Sequence, residues 1–249
     1  MSAKKDLALS LQMLLLPKVR NVFEIGACEG EDTIEYARLF PSACFWLFEP
    51  LPVNFDKLRE LLLRYPKINA KTFPLALSDH TGTATFHVSS VAKNRKSDPS
   101  ARIWAGNKSS SLLAPRDDKP ANLQWLDFSR SIQVQTETLD IFCDRNAVSP
   151  IDFVHMDVQG AELKVLAGAK RMLPHIKAVW MEVAFEATYE GQPLEPEATR
   201  WMAERGFRKI HQVSYGPEGD ALYYNMRLPL SWPLFVALRM MQKIGLVRR

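Results

Sequence analysis

From Asn21 onward, strand-length apolar runs alternate with segments of helical spacing, and this alternation restricts the chain to one fold class. "NVFEI" (Asn21 to Ile25) passes into a helix through "TIEYARLF", then "CFWLF" (Cys44 to Phe48), then a helix with apolar positions at Val53, Leu58, Leu61 and Leu62, then a strand near "INAKTF". The alternation returns with "IDFVHMDV", a helix across "AELKVLAGAKRML", and "AVWMEVAF". Strands so uniformly apolar are buried on both faces, the pattern of a parallel sheet covered by helices. After the helix "PEATRWMAERGF", two β-rich runs, "FRKIHQVSY" and "ALYYNMRL", flank "GPEGD", so a hairpin is expected at the carboxyl end of a doubly wound α/β sheet.

Between these halves, "TATFHVS" (Thr83 to Ser89) alternates with period two. The chain then enters a long polar stretch, Val91 to Ser129, that carries Trp104 and Trp125. A structureless loop of that length in a compact domain is usually functional or disordered, and it is read here as a lid or substrate wall. A strand around Ile132 to Gln135 and a helix around Leu139 to Arg145 follow. Residues 1–20 read as a short amphipathic helix. Asp6 and Gln12 interrupt the apolar run and no small-residue cleavage site follows, so it is not a signal peptide. Residues 21–229 then form one domain, and residues 230–249 a basic amphipathic helix.

With 249 residues, 47% hydrophobic and 24% charged, the chain can bury a substantial core. A formal charge of +4, without a basic stripe interleaved with aromatics, argues against nucleic acid as a partner. Cys28, Cys44 and Cys143 have no metal-like spacing and leave an odd thiol under any pairing, which favours a reducing, cytoplasmic setting. No segment approaches the length of a membrane span.

The chemistry is concentrated in "VFEIGACEGEDT", Val22 to Thr33. A strand, a glycine turn and a helix start make a nucleoside pocket at the carboxyl edge of a sheet. For a nicotinamide fingerprint beginning at Gly26, the next glycines would fall at Cys28 and Glu31 and are missing. Glu29, Glu31 and Asp32 crowd the helix start, where like charge repels a pyrophosphate. A cationic ligand with a ribose and no phosphate meets the opposite electrostatics. S-adenosylmethionine is such a ligand: Glu24, the tight glycines Gly26 and Gly30, and Glu49 in "WLFEP", able to accept both ribose hydroxyls, suit it.

"FEIGACEGEDT", "WLFEPLPVNFDKL", "FPLALSDHTGTATFHV", "SSSLL", "VQTETLD", "IDFVHMDVQGAELKVLAGA" and "MEVAFEATYEGQPL" occur in an order and spacing that resembles the FkbM family of S-adenosylmethionine-dependent methyltransferases, from Asn21 to about Phe207. The resemblance implies a Rossmann-like class I methyltransferase fold, a seven-stranded sheet with its last strand antiparallel. It also implies O-methylation, commonly of a sugar or polyketide-type hydroxyl. Carried over, Glu24, Gly26, Ala27, Cys28 and Gly30 match the first cofactor loop, Glu49 the ribose-binding acid, and Ser78 and Asp79 the adenine-side turn. Thr33, Pro50 and Asp157 are assigned to the cofactor as well. Asp157, Gly160, Ala161 and Glu162 match the "D-x-x-G-A-E" signature. This chain departs from the family at Glu24 (usually Asp), Cys28 (usually Asn), His155 (often Lys) and Gln159 (often Glu), so the catalytic base is not carried over.

Methyl transfer to an alcohol needs alignment and a base. His155 and Asp157, two apart on a strand, reach the carboxyl edge together, and Glu162 stands by to hold the substrate or orient a partner. Asp157 is the better base, because an acid closing an apolar strand needs a partner to justify its desolvation; His155 has the alternative of a core histidine bonded to backbone. A divalent metal on His155, Asp157 and Glu182 is a further reading, without a compact ligand motif behind it. The acceptor wall is assigned to Trp104, Ser110, Ser111, Glu182 and Tyr189, with Trp104 or Trp125 as stacking surfaces for a sugar ring. The tail "SWPLFVALRMMQKIGLVRR" carries Arg239, Lys243, Arg248 and Arg249. It suits peripheral contact with an anionic membrane and a lipid-linked glycan, and equally a helix docked on the domain or a dimer partner. Two other classes stay open: a cofactor-binding scaffold without catalysis, and a nicotinamide oxidoreductase.

Overall fold

The computed structural model describes Leu16, residues 18–91 and residues 107–228. In chain order the elements are β1 (Asn21–Ile25), α1 (Glu31–Leu39), β2 (Cys44–Phe48), α2 (Pro52–Leu63), β3 (Ala70–Phe73), β4 (Ala76–Leu77), β5 (Gly82–Val91), β6 (Leu126–Glu137), α3 (Leu139–Asn146), β7 (Ile151–Met156), α4 (Glu162–Ala167), β8 (Ile176–Ala184), α5 (Glu195–Glu204), β9 (Phe207–Ser214) and β10 (Glu218–Asn225). Seven strands form the main sheet in the order β3-β2-β1-β7-β8-β10-β9. All neighbours are parallel except β10, which runs antiparallel to both β8 and β9. The α/β class and the carboxyl-terminal hairpin are thus both present.

Side-chain alternation explains the two apolar layers. Along β1 and β2, Phe23, Ile25, Trp46 and Phe48 enter one core, with Phe142 of α3, while Val22, Phe45 and Leu47 enter the other, with Tyr36 and Phe40 of the α1 region. In the first layer the Phe142 ring stands edge-on to Phe48 at 4.7 Å and to Phe73 at 4.8 Å, the arrangement favoured by aromatic quadrupoles. The position of Glu24 between Phe23 and Ile25 places a carboxyl inside the second layer, beneath α1. It needs a partner there.

A second sheet differs from the sequence reading. β5 pairs antiparallel with β6, and β4 adds to β6 in parallel, so the strand expected at Ile132 to Gln135 is a longer one starting at Leu126. Its polar outer residues hide it from a local reading. The inner positions Phe86, Val88 and Val134 close over Leu51 and Ala76 and reveal it only in three dimensions. The helix expected across Ala161 to Leu173 also ends early, at Ala167. Gly168 passes so close to Ser78 that a Cβ would sit 2.1 Å from the Ser78 carbonyl oxygen, and the chain turns there. The expected helices at residues 1–20 and 230–249, and Trp104, lie outside the described residues apart from the few that precede β1. Among the described residues, no helix is long and apolar enough to cross a membrane.

Candidate active site

The strand order reverses between β1 and β7, and at such a switch point the two following loops part and leave a crevice. A cavity of about 270 Å³ lies there. Its apolar end is walled by Phe48, Leu75, Leu77 and Phe86, and its polar end by Glu24, Glu31, Asp32, Lys108, His155 and Asp157. Glu49, Cys28 and Asn54 lie on the wall as well.

The loop after β1 is shaped by close approach. Gly26 has φ +84°, its N–H donates to the Phe48 carbonyl at 3.0 Å, and an added Cβ would stand 1.9 Å from the Asp157 carbonyl oxygen. Only glycine fits there. Gly26→Ala is expected to destabilise the fold by roughly 2 kcal/mol or more and to deform the cavity, checked by the thermal midpoint. Unchanged stability would mean that the loop can move away from Asp157.

Glu49 organises the next layer. Its Oε2 accepts from the Cys28 N–H at 2.9 Å and its Oε1 from the Leu51 N–H at 2.8 Å, which fixes the carboxylate on the cavity wall. The Asn54 side chain bonds to the same carboxylate, which still has accepting capacity left. Burial pushes its carboxyl up to about 7, against the two backbone donors. Burial, with Glu49 and Glu31 nearby, pushes the Cys28 thiol up to about 12, so it is a small neutral wall residue and not a nucleophile. Glu24 is 1% exposed and accepts from the Thr33 hydroxyl at 2.6 Å. Desolvation holds its carboxyl well above the ordinary carboxylate range, with Asp32 and Glu31 adding to the effect.

At the polar end, Asp157 follows β7 and is tied to β1 by its N–H on the Ile25 carbonyl at 3.0 Å. Its side chain is open to the cavity yet enclosed deep in the molecule, and that enclosure raises its carboxyl. Gln159, in the left-handed region at φ +55°, is the hub beside it. Its Nε2 donates to Asp157 Oδ1 at 2.7 Å and to Glu182 Oε2 at 2.9 Å, and its Oε1 lies 3.0 Å from the Tyr189 hydroxyl. One neutral amide thus donates a hydrogen bond to each of two acids. Glu162 Oε1 accepts from the Val158 and Gly160 N–H groups, which closes the turn, and burial pushes its carboxyl up to about 7. His155 packs against Tyr36 with ring centroids 5.1 Å apart.

Of the residues assigned to the cofactor, Glu24, Gly26, Ala27, Cys28, Glu49, Pro50 and Asp157 line the cavity. The others sit behind it. Thr33 holds Glu24, Gly30 packs on Leu58 and Leu61 of α2, Ser78 is buried, and Asp79 pairs with His80 at 2.8 Å. Of the acceptor residues, Ser110 lines the cavity. Ser111 donates to the Gln159 carbonyl at 2.7 Å, and Tyr189 is 1% exposed with its hydroxyl 2.6 Å from the Ser109 carbonyl, so both support the Gln159 turn from inside. His155, Asp157 and Glu182 do not converge as metal ligands. Glu182 is turned to Gln159, and among the described residues no group of three such side chains could hold an ion. The sequence reading passed over Asn54, Phe86 and Lys108, which reach the wall from elements far from "VFEIGACEGEDT".

A family model described as "Methyltransferase FkbM domain" matches residues 24–209. The chain is 32% identical over 208 residues to "2-O-methyltransferase NoeI" of Sinorhizobium fredii, covering 83% of this chain and 80% of that protein. Among solved structures it is similar to precorrin-6y C5,15-methyltransferase from Geobacter metallireducens (TM-score 0.48, 11% identity, 90% of this chain and 89% of that one). It is also similar to the N-terminal domain of EvdMO1, determined in the presence of SAH and D-fucose (TM-score 0.48, 10% identity, 90% and 83%). A match that begins in β1 and ends in β9 takes in every strand that borders the cavity, and on that ground the chain belongs to the FkbM family of S-adenosylmethionine-dependent methyltransferases.

Proposed function

We propose that this methyltransferase O-methylates a sugar or glycan hydroxyl, with S-adenosylmethionine in the cavity at the β1–β7 switch point and Asp157 as the base. The observation that carries the reading is the wall itself. Glu49 presents a carboxylate fixed by two backbone donors, and with Glu24, Glu31, Asp32 and Asp157 on the same wall it gives the cavity the electrostatics that suit a sulfonium cofactor with a ribose and no phosphate. The 32% identical relative, a 2-O-methyltransferase, supports oxygen as the methylated atom.

When bound, S-adenosylmethionine supplies an electrophilic methyl group on a sulfonium. The protein does the rest. Glu49 receives the ribose hydroxyls, and the apolar end from Leu75 to Phe86 covers the adenine. Asp157 takes the proton of the acceptor hydroxyl as the oxygen becomes nucleophilic, and its raised carboxyl brings it closer to the operating pH, where a general base works best. Gln159 holds Asp157 in place through the 2.7 Å bond.

The test is calorimetric titration with S-adenosylhomocysteine, with NAD as control. Saturable binding of the nucleoside without NAD binding is the expected result; silence toward the nucleoside, or NAD binding, would overturn the reading. A pH dependence accompanies it. Ribose hydroxyls donate to the ionised form of Glu49, whose free-state carboxyl sits at about 7, so binding releases a proton and affinity falls as pH falls. Between pH 8 and pH 6 the affinity is expected to drop about tenfold, since at pH 6 roughly one site in ten is ionised. A flat profile would mean that Glu49 does not meet the ribose.

A further inference from the structure

Resting on the cofactor reading above, we infer that Lys108 is the residue that holds the α-carboxylate of the cofactor's methionine tail, and that Glu31 positions it. The charge distribution of the cavity leads to this. Its wall carries five acids, Glu24, Glu31, Asp32, Glu49 and Asp157, and among the described residues that line it Lys108 is the one lysine or arginine. A sulfonium and an ammonium suit the acids. A lysine opposes both, and Lys108, whose ion pair with Glu31 takes one of its donors, turns the rest of its ammonium to a group of opposite charge. S-adenosylmethionine has one anionic group, the carboxylate at the end far from adenine.

Position agrees with charge. Lys108 Nζ lies 2.5 Å from Glu31 Oε1 at the first turn of α1, close enough to the loop after β1 for its charge to act on Cys28. The lysine is also anchored. Ser110 Oγ donates to the Asn107 carbonyl at 2.6 Å and accepts from the Ser89 N–H at 3.0 Å, and the Ser109 N–H donates to Ser89 Oγ at 3.1 Å, so the turn that carries Lys108 is pinned to β5. An ammonium has three donors and Glu31 takes one, which leaves two for a carboxylate. Burial works against the charge of Lys108, but the bond from Glu31 outweighs it and holds the ammonium above its ordinary value.

The experiment compares two ligands on two proteins by calorimetry: S-adenosylhomocysteine and its decarboxylated analogue, 5′-deoxy-5′-(3-aminopropylthio)adenosine, on the unaltered full chain and on Lys108→Met. Lys108 is half-exposed, so the variant is expected to fold, and Lys108→Gln serves as a second variant of different shape. The unaltered chain should prefer the carboxylate-bearing ligand by about tenfold, and both variants should lose about tenfold for that ligand while changing less than about twofold for the analogue. Equal losses for the two ligands, or no loss for either, would overturn the assignment while leaving the cofactor pocket intact. Failure of the unaltered chain to bind S-adenosylhomocysteine at all would overturn the cofactor reading itself, and this inference with it.

Discussion

Glu49→Ala is expected to lower affinity for S-adenosylhomocysteine by about 100-fold or more, the largest effect of any single change on the cavity wall. Two ribose hydroxyls on a carboxylate make two charge-assisted hydrogen bonds, each worth roughly 1.5–3 kcal/mol, and alanine removes both. The same truncation strips the Cys28 and Leu51 N–H groups of their acceptor, so the loop that shapes the pocket loosens as well. The fold itself should survive. A carboxyl pushed up to about 7 is paying for its burial, and its removal relieves that cost while water can reach the freed donors through the cavity, so the thermal midpoint should stay within roughly 5 °C. Calorimetry with S-adenosylhomocysteine measures the first claim and a melting curve the second. Retained affinity in a folded variant would remove Glu49 from the ribose.

Asp157→Asn is expected to lower turnover by roughly 100- to 10,000-fold, the range a positioned general base contributes, while S-adenosylhomocysteine affinity stays within about threefold. The substitution is chosen for its economy. Asparagine keeps an oxygen for the Gln159 Nε2 bond at 2.7 Å and the same backbone tie to Ile25, so the turn is preserved and only the proton acceptor is lost. Turnover is read as S-adenosylhomocysteine release with a sugar acceptor on which the unaltered chain is active. Full activity in the variant would move the base elsewhere, with His155, whose Nδ1 has no partner among the described residues, next in order.

The glycine loop was legible because its constraint is local: Gly26, between an apolar strand and a helix start, announces a turn that other side chains cannot make. Glu24 and Glu49 were legible because a carboxyl at an apolar strand stands out in the sequence. What Glu24 does there was less so, since its bond to Thr33 depends on how α1 lies over the sheet. Tyr189 and Ser111 read as acceptor contacts because both are polar and near the signature in order. The structure uses them to brace Gln159, across 30 and 48 residues respectively. β6 was underread for the same kind of reason, because its outer face is polar and its partner β5 returns from far along the chain.

The sequence by itself determined the alternating architecture, the hairpin at the carboxyl end and the acids at the ends of the first two strands, because period and punctuation are properties of neighbouring residues. The tertiary structure alone decided which acids share a wall, that burial raises the Glu24 carboxyl, and that Lys108 comes to stand beside Glu31, 77 residues away in the chain. The physical reason is that a carboxyl's charge state and a lysine's partner are set by the dielectric and the charges around them, and those surroundings are assembled from elements the chain brings together only on folding.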